Sequence, residues 1–187
     1  MAHFLTIVLV PPDTSAIVAE VKRLMEPHIE SEVPAYKVRT DVSDWSERQL
    51  ADTLASGDLG NDDDGYFWWQ TNNPDGRWDY WKIGGGYNGV LIGQHTPLPH
   101  KDGPLELNTR PVTSLLAQEA PTWQDLGASA LVTPDGTWTD TFDFHDFDGP
   151  GSNKDRWTET WSKWHAHTLP ILKQYEHHVA VALDVHS

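Results

Sequence analysis

The stretch from Asn72 to Gly93, Asn-Asn-Pro-Asp-Gly-Arg-Trp-Asp-Tyr-Trp-Lys-Ile-Gly-Gly-Gly-Tyr-Asn-Gly-Val-Leu-Ile-Gly, restricts the chain more than any other. Pro74-Asp75-Gly76 is turn chemistry, because proline presets φ and glycine accepts positive φ. Trp78 to Ile83 alternates as a strand, so Trp78, Tyr80 and Lys82 share one face while Asp79, Trp81 and Ile83 share the other. That places Asp79 on an apolar face. There it needs a partner, whether the backbone N–H groups of a loop or the fittings of a pocket, since a lone buried carboxylate is prohibitively costly.

Gly84-Gly85-Gly86 lacks Cβ atoms, which admits unusual φ/ψ and the close approach of a ligand. A hairpin loop leading to the turn dipeptide Asn88-Gly89, with a second strand through Val90-Leu91-Ile92, is the structural alternative. Neither GxGxxG opening a helix nor GxxxxGK[ST] is present.

A chain of 187 residues is long enough for one domain with a real core. Cysteine is absent, which excludes disulfides, thiolate metal sites and cysteine nucleophiles. The 28 acidic residues against 13 basic ones give a net charge of −15 and argue against direct nucleic-acid binding through phosphates. No apolar run approaches the roughly 20 residues of a spanning helix, so no membrane association and a cytoplasmic location are expected.

His3 to Val10 is β-branched and apolar, as in a central strand ended by Pro11-Pro12. Asp13 or Thr14 then caps a helix with Ile17, Val18, Val21, Leu24 and Met25 at helical spacing, stopped by Pro27. Glu30 to Thr40 reads as extended. Asp44 with Glu47 resembles a capping box opening a short helix through Leu50 and Leu54. The acidic loop Asn61 to Gly65 fails the calcium-loop template, because Gly60 and Thr71 fall at its first and closing ligand positions.

Tyr66 to Gln70 suits another strand. Gln94 to Asn108 reads as a loop whose His95 and His100 lack ligand spacing, and Pro111 opens a helix through Val112, Leu115 and Leu116. Ala128 to Thr139 reads as a hairpin turning at Pro134-Asp135-Gly136. Phe142 to Asp148 gathers three acids and a histidine, which suits either oxygen ligation of a divalent cation or a solvated strand and loop edge. Trp157, Trp161 and Trp164 recur at helical spacing behind Asn153 or Asp155 as N-cap, a stripe for packing on a sheet; Pro170 kinks or ends that helix. Val179 to His186 reads as a final strand on which Asp184 and His186 share a face. Aspartate orienting histidine is the logic of a general base or a metal ligand, and a wet strand end is the plain alternative. If this strand lies beside the first strand or the Trp78 strand, Asp79, Asp184 and His186 converge, with His3 as neighbour.

Asn73-Pro74-Asp75-Gly76-Arg77-Trp78-Asp79-Tyr80-Trp81-Lys82-Ile83-Gly84-Gly85 resembles the NPxxxWDWYxIGGRW signature of a group of uncharacterised phage and bacterial proteins. Val10 to Asp13, Leu24 to Pro27 with Tyr36, Thr133 to Trp138 and the Asp184-x-His186 ending are similar too. The resemblance implies a phage or mobile-element setting, hence a host cytoplasm, and no settled activity. The chain departs from the signature at Gly86 and Tyr87, where the group shows arginine and tryptophan; Arg77 or Lys82 is the nearest substitute.

The expected fold is a single α+β domain over residues 1–187. It has a mainly antiparallel sheet of about five to seven strands, with helices near residues 14–26 and 155–175 packed on it. The first functional reading is a protein binding a small nucleotide-like or phosphorylated molecule, with metal-assisted hydrolysis as the reaction in view. Asp79, Asp184 and His186 would be its catalytic groups, Trp78, Tyr80, Trp81 and Tyr87 would stack the ligand, and Arg77, Lys82 and Gly84 to Gly86 would admit its polar part. A divalent cation fits that reading, with no ligand set assigned. The alternative is a non-enzymatic acidic protein that inhibits a host or defence protein.

Overall fold

The structure, a computed structural model, describes residues 3–30, 37–42, 44–56, 59–71, 73–117, 120–147 and 151–187. In chain order the strands and helices are β1 (His3–Val10), α1 (Ile17–Met25), β2 (Lys37–Asp41), α2 (Glu47–Ser56), β3 (Leu59–Asp62), β4 (Gly65–Thr71), β5 (Tyr80–Ile83), α3 (Leu105–Asn108), β6 (Thr109–Pro111), α4 (Val112–Leu116), α5 (Trp123–Leu126), β7 (Ala130–Val132), β8 (Trp138–Asp140), α6 (Asn153–Gln174) and β9 (Val179–His186). The class is α+β with a mainly antiparallel mixed sheet, as the sequence predicts. By contacts the chain divides into two compact units, residues 1–27 with 78–187, and His28–Arg77.

The larger unit is built on a sheet of order β5-β9-β1-β7-β8, with β6 also paired to β9. β1 and β9 pair antiparallel along their whole length, from His3 opposite His186 to Val10 opposite Val179. Residues directly opposite share a face. Leu5, Ile7, Leu9, Ala180 and Ala182 therefore project into one core together with Trp123, Trp164, Leu115 and Leu172. On the other face Val8, Val10, Val181, Leu183 and Val185 are buried as well, and α1 lies against β1 with Val21, Leu24 and Met25 buried. A central pair of strands covered on both faces explains why both read as continuous apolar runs.

The N-cap of helix α6 is Ser152, one residue before Asn153 and three before Asp155, the two expected caps: Ser152 accepts from the Asp155 N–H, and the Asp155 carboxylate returns the bond. Pro170 does not end it, and the helix runs on to Gln174. Its tryptophan stripe divides. Trp164 is fully buried and donates to the Ala128 carbonyl at 2.8 Å, Trp161 packs on the core edge, and Trp157 stacks on His145. Helix α1 has Ala16 at its N-cap and no side-chain cap, so neither Asp13 nor Thr14 serves; past Met25 the chain tightens into a 3-10 turn, Glu26–His28.

The expected strand at Val90-Leu91-Ile92 is a 3-10 turn bounded by Gly89 and Gly93 in left-handed conformations. Two glycines at positive φ bend the chain away from any ladder. The acidic run after β8 likewise forms a 3-10 turn, Thr141–Phe144, capped by Asp140 and Asp143.

The smaller unit is a three-stranded antiparallel sheet of order β2-β4-β3 with helix α2. The box at the start of α2 is formed by Ser46 and Gln49, not Asp44 and Glu47: the Ser46 N–H donates to Gln49 Oε1 at 3.1 Å. Tyr36 and most of the extended stretch read at 30–40 lie outside the described residues, as does Asp148 of the acidic cluster.

Candidate active site

β9 is flanked by β1 on one side and by β5 then β6 on the other. His3, His186 and Tyr80 are consecutive partners across β1, β9 and β5, so three chemically active side chains form one row at the sheet end. Two pairs inward, Leu5, Asp184 and Lys82 form the next row on the same face.

Asp184 is the anchor. Its side chain is only 3% exposed. One oxygen accepts from His3 Nδ1 at 2.9 Å, and the other accepts from the Gly86 N–H at 2.8 Å. A carboxylate accepts, so His3 carries its proton on Nδ1, and its Nε2 keeps a lone pair while the ring is neutral. That Nε2 lies 3.4 Å from the Tyr80 hydroxyl, which lies 3.3 Å from His100 Nδ1. One hydroxyl has one proton, so Tyr80 donates to one imidazole and accepts from the other. The result is a continuous chain from Asp184 through His3 and Tyr80 to His100.

A second pair stands beside the first. His186 Nδ1 donates to Asp79 Oδ1 at 2.6 Å, its ring stacks on Tyr80 with centroids 4.8 Å apart, and the His3 ring is 5.0 Å away. The expected Asp184–His186 couple is therefore exchanged: the two share a face as predicted, but each bonds a residue from another element. Asp79 also departs from its expected face. β5 begins at Tyr80, so strand alternation does not govern the bend at Asp79, and its carboxylate turns to His186 on the Tyr80 side.

The glycine run serves this arrangement internally. Gly85 has φ +49°, and a Cβ there would lie 2.5 Å from the Asp184 Cβ; one on Gly84 would lie 2.5 Å from the Asn108 side chain. The group that approaches closely is thus the protein's own carboxylate, while Gly86 lines the cleft. Asn108 accepts from the Gly89 N–H and donates to Asn88, and Asp102 accepts from the Ile83 N–H, which ties down the long connection after β5. His95 Nε2 donates to the Gly86 carbonyl at 2.7 Å.

A cleft of about 300 Å³ opens here, lined by His3, Gly86, Tyr87, Pro99, His100 and Asp184. Partial burial, then the Asp184 and Asp79 carboxylates, raise the pKa of Tyr80 above the ordinary phenol value; burial, then Asp184, does the same for Tyr87. Both tyrosines stay protonated in a locally negative field.

Other expected ligand contacts fall elsewhere. Trp78 is buried and donates to the Met25 carbonyl at 3.0 Å, anchoring α1. Trp81 and Lys82 are half-buried on β5 and do not line the cleft, and Arg77 belongs to the smaller unit. Among the described residues, no three His, Asp or Glu side chains converge as a metal ion requires. The residue that the sequence pattern passes over is His100, which lacks ligand spacing; among the described residues it is the non-glycine whose φ is positive, at 62°. A strained backbone at a cleft mouth is the structural sign that spacing could not give.

No protein-family model, curated protein or solved structure matches the chain. Among the described residues, no helix is long and apolar enough to cross a membrane.

Proposed function

We propose that this protein binds a small molecule in the cleft between β1, β9 and the loop after β5, and transfers a proton at it. His3 Nε2 is the base and Asp184 fixes its tautomer; once Nε2 carries the proton it donates to the Tyr80 hydroxyl, which turns its own O–H to the Nδ1 lone pair of a neutral His100 at the surface. His186 and Asp79 are positioning residues that hold Tyr80 by stacking. The observation that carries this reading is the continuous Asp184–His3–Tyr80–His100 chain, with bonds of 2.9, 3.4 and 3.3 Å. The reading keeps the small ligand expected from the sequence and moves the chemistry from metal-assisted hydrolysis to metal-independent acid–base transfer. It takes over the phage or mobile-element setting that the Asn73–Gly85 signature implies.

A thermal-shift screen of uncharged, cationic and phosphorylated metabolites tests it, with His3→Gln and Tyr80→Phe in parallel. A ligand at 100 times its Kd adds about 2.7 kcal/mol of stability, a shift of several degrees. Hits lost in His3→Gln, with turnover reduced in Tyr80→Phe, are expected. Hits indifferent to both substitutions would refute the assignment.

The exposed Phe142 and Phe147, stacked on one another at 59% and 61% exposure beside Asp143 and Asp146, favour a second reading as a partner-binding acidic protein. In that reading, Phe142→Ser abolishes a complex and leaves His3-dependent ligand binding untouched.

A further inference from the structure

We propose that the cleft selects a compact ligand without negative charge, one that presents hydrogen-bond donors, such as an uncharged or protonated nitrogen heterocycle, and rejects phosphorylated molecules. The inference rests on the acid–base reading above and sharpens its substrate class.

Three observations carry it. First, among the described residues the lining contains a buried carboxylate and two imidazoles but neither lysine nor arginine. Lys82, opposite Asp184 in register, and Lys101, next to His100 in the chain, do not line it. A phosphate site needs fixed positive charge or a fan of free N–H groups. The N–H of Gly86, which could have served, is already spent on Asp184.

Second, the hydrogen-bonding inventory is rich in acceptors. Each Asp184 oxygen keeps a lone pair beyond the bond it makes, and the Tyr87 hydroxyl donates to the His3 carbonyl at 3.2 Å rather than to the cleft. A ligand satisfies such a wall with N–H or O–H donors, which a phosphate dianion lacks.

Third, the Asp184 carboxylate lines the cleft and a second carboxylate, Asp79, stands beside it on His186, in a chain of net charge −15. Burial is the larger cause of the raised tyrosine pKa values, and the Asp184 carboxylate adds to it at both, with Asp79 adding at Tyr80. A cleft of about 300 Å³ is at the small end for ligand sites, which run from about 300 to 1,000 Å³, so one or two fused rings fill it.

Iodoacetamide and iodoacetate form a matched pair of near-equal size that differ in charge, and the chain has no cysteine to compete. Either reagent forms a C–N bond at imidazole as iodide leaves. At His3 the Nδ1 proton stays against Asp184 and the ring becomes an imidazolium. Peptide mass spectrometry gives the amide-to-acetate rate ratio at His3, with His177, 83% exposed, as internal reference. The ratio at His3 should exceed that at His177 by about fivefold or more at low salt, the size of effect a charged cleft exerts. It should fall toward the reference in Asp184→Asn and, should that variant fail to fold, in Asp79→Asn. Equal ratios, or faster reaction with iodoacetate, overturn the charge selection while leaving His3 as a base. No alkylation of His3 by either reagent while His177 reacts overturns the acid–base reading itself, and this proposal with it.

Discussion

Gly85→Ala is the sharpest perturbation of the site, because it tests the close approach that holds Asp184. The new methyl meets two separate costs. At φ +49° an L-residue is strained by about 1–2 kcal/mol, and its Cβ would lie 2.5 Å from the Asp184 Cβ and 2.6 Å from Oδ2. Asp184 must then move, weakening its bonds from the Gly86 N–H and His3 Nδ1, and a hydrogen bond to a charged group is worth about 1.5–3 kcal/mol. The total loss is about 2.5–5 kcal/mol if one of those bonds is lost outright. Gly127→Ala is the internal control, since Gly127 has φ +62° and a methyl group there would meet nothing within 4 Å. It should cost only the strain, about 1–2 kcal/mol. Urea unfolding monitored by tryptophan fluorescence gives both numbers. If the two variants lose equal stability, the glycine run does not hold Asp184 in the way described.

Two further outcomes follow from the core and the turns. Trp164→Phe removes the donor to the Ala128 carbonyl and opens a gap in the core, so it should cost about 2–3 kcal/mol; a loss under about 0.5 kcal/mol would mean the bond carries nothing. The lowered carboxyl pKa values of Asp125, held by the Thr122 backbone N–H and hydroxyl, and of Asp135, held by the Thr133 hydroxyl and the Thr137 N–H, contribute stability that is present above the unfolded carboxyl value. That stability is lost as pH falls through the lowered folded values, so Asp125→Ala with Asp135→Ala should flatten the acid limb of a stability profile below about pH 4; an unchanged acid limb would contradict the assignment.

The central strands are legible in the sequence because strands buried on both faces must be apolar over most of their length, and β1 and β9 are. Period-two geometry likewise puts Asp184 and His186 on one face. It does not say which partner each meets. Asp184 meets His3 because β1 runs antiparallel along β9, and that pairing belongs to topology rather than to any local pattern. Asp79 falls on the wrong face in the sequence reading because alternation there extends one residue past the end of a strand. The triple glycine marks a point of close approach, but the approaching group comes from within the chain rather than from outside it. Tyr80 is a stacking surface, yet the ring upon it is His186. His100 has no sequence signal, since its role comes from a loop that brings it back over residues about twenty and about one hundred positions away, near Tyr80 and His3.

The central claim is that Asp184 holds the His3 proton on Nδ1, which leaves Nε2 as the nitrogen that takes a proton. Nitrogen-15 NMR of the imidazole rings across a pH titration tests it directly. The account predicts that neutral His3 carries its proton on Nδ1, and that Asp184→Asn alters that tautomer preference. A proton on Nε2 in the native protein, or a tautomer indifferent to Asp184→Asn, would contradict it.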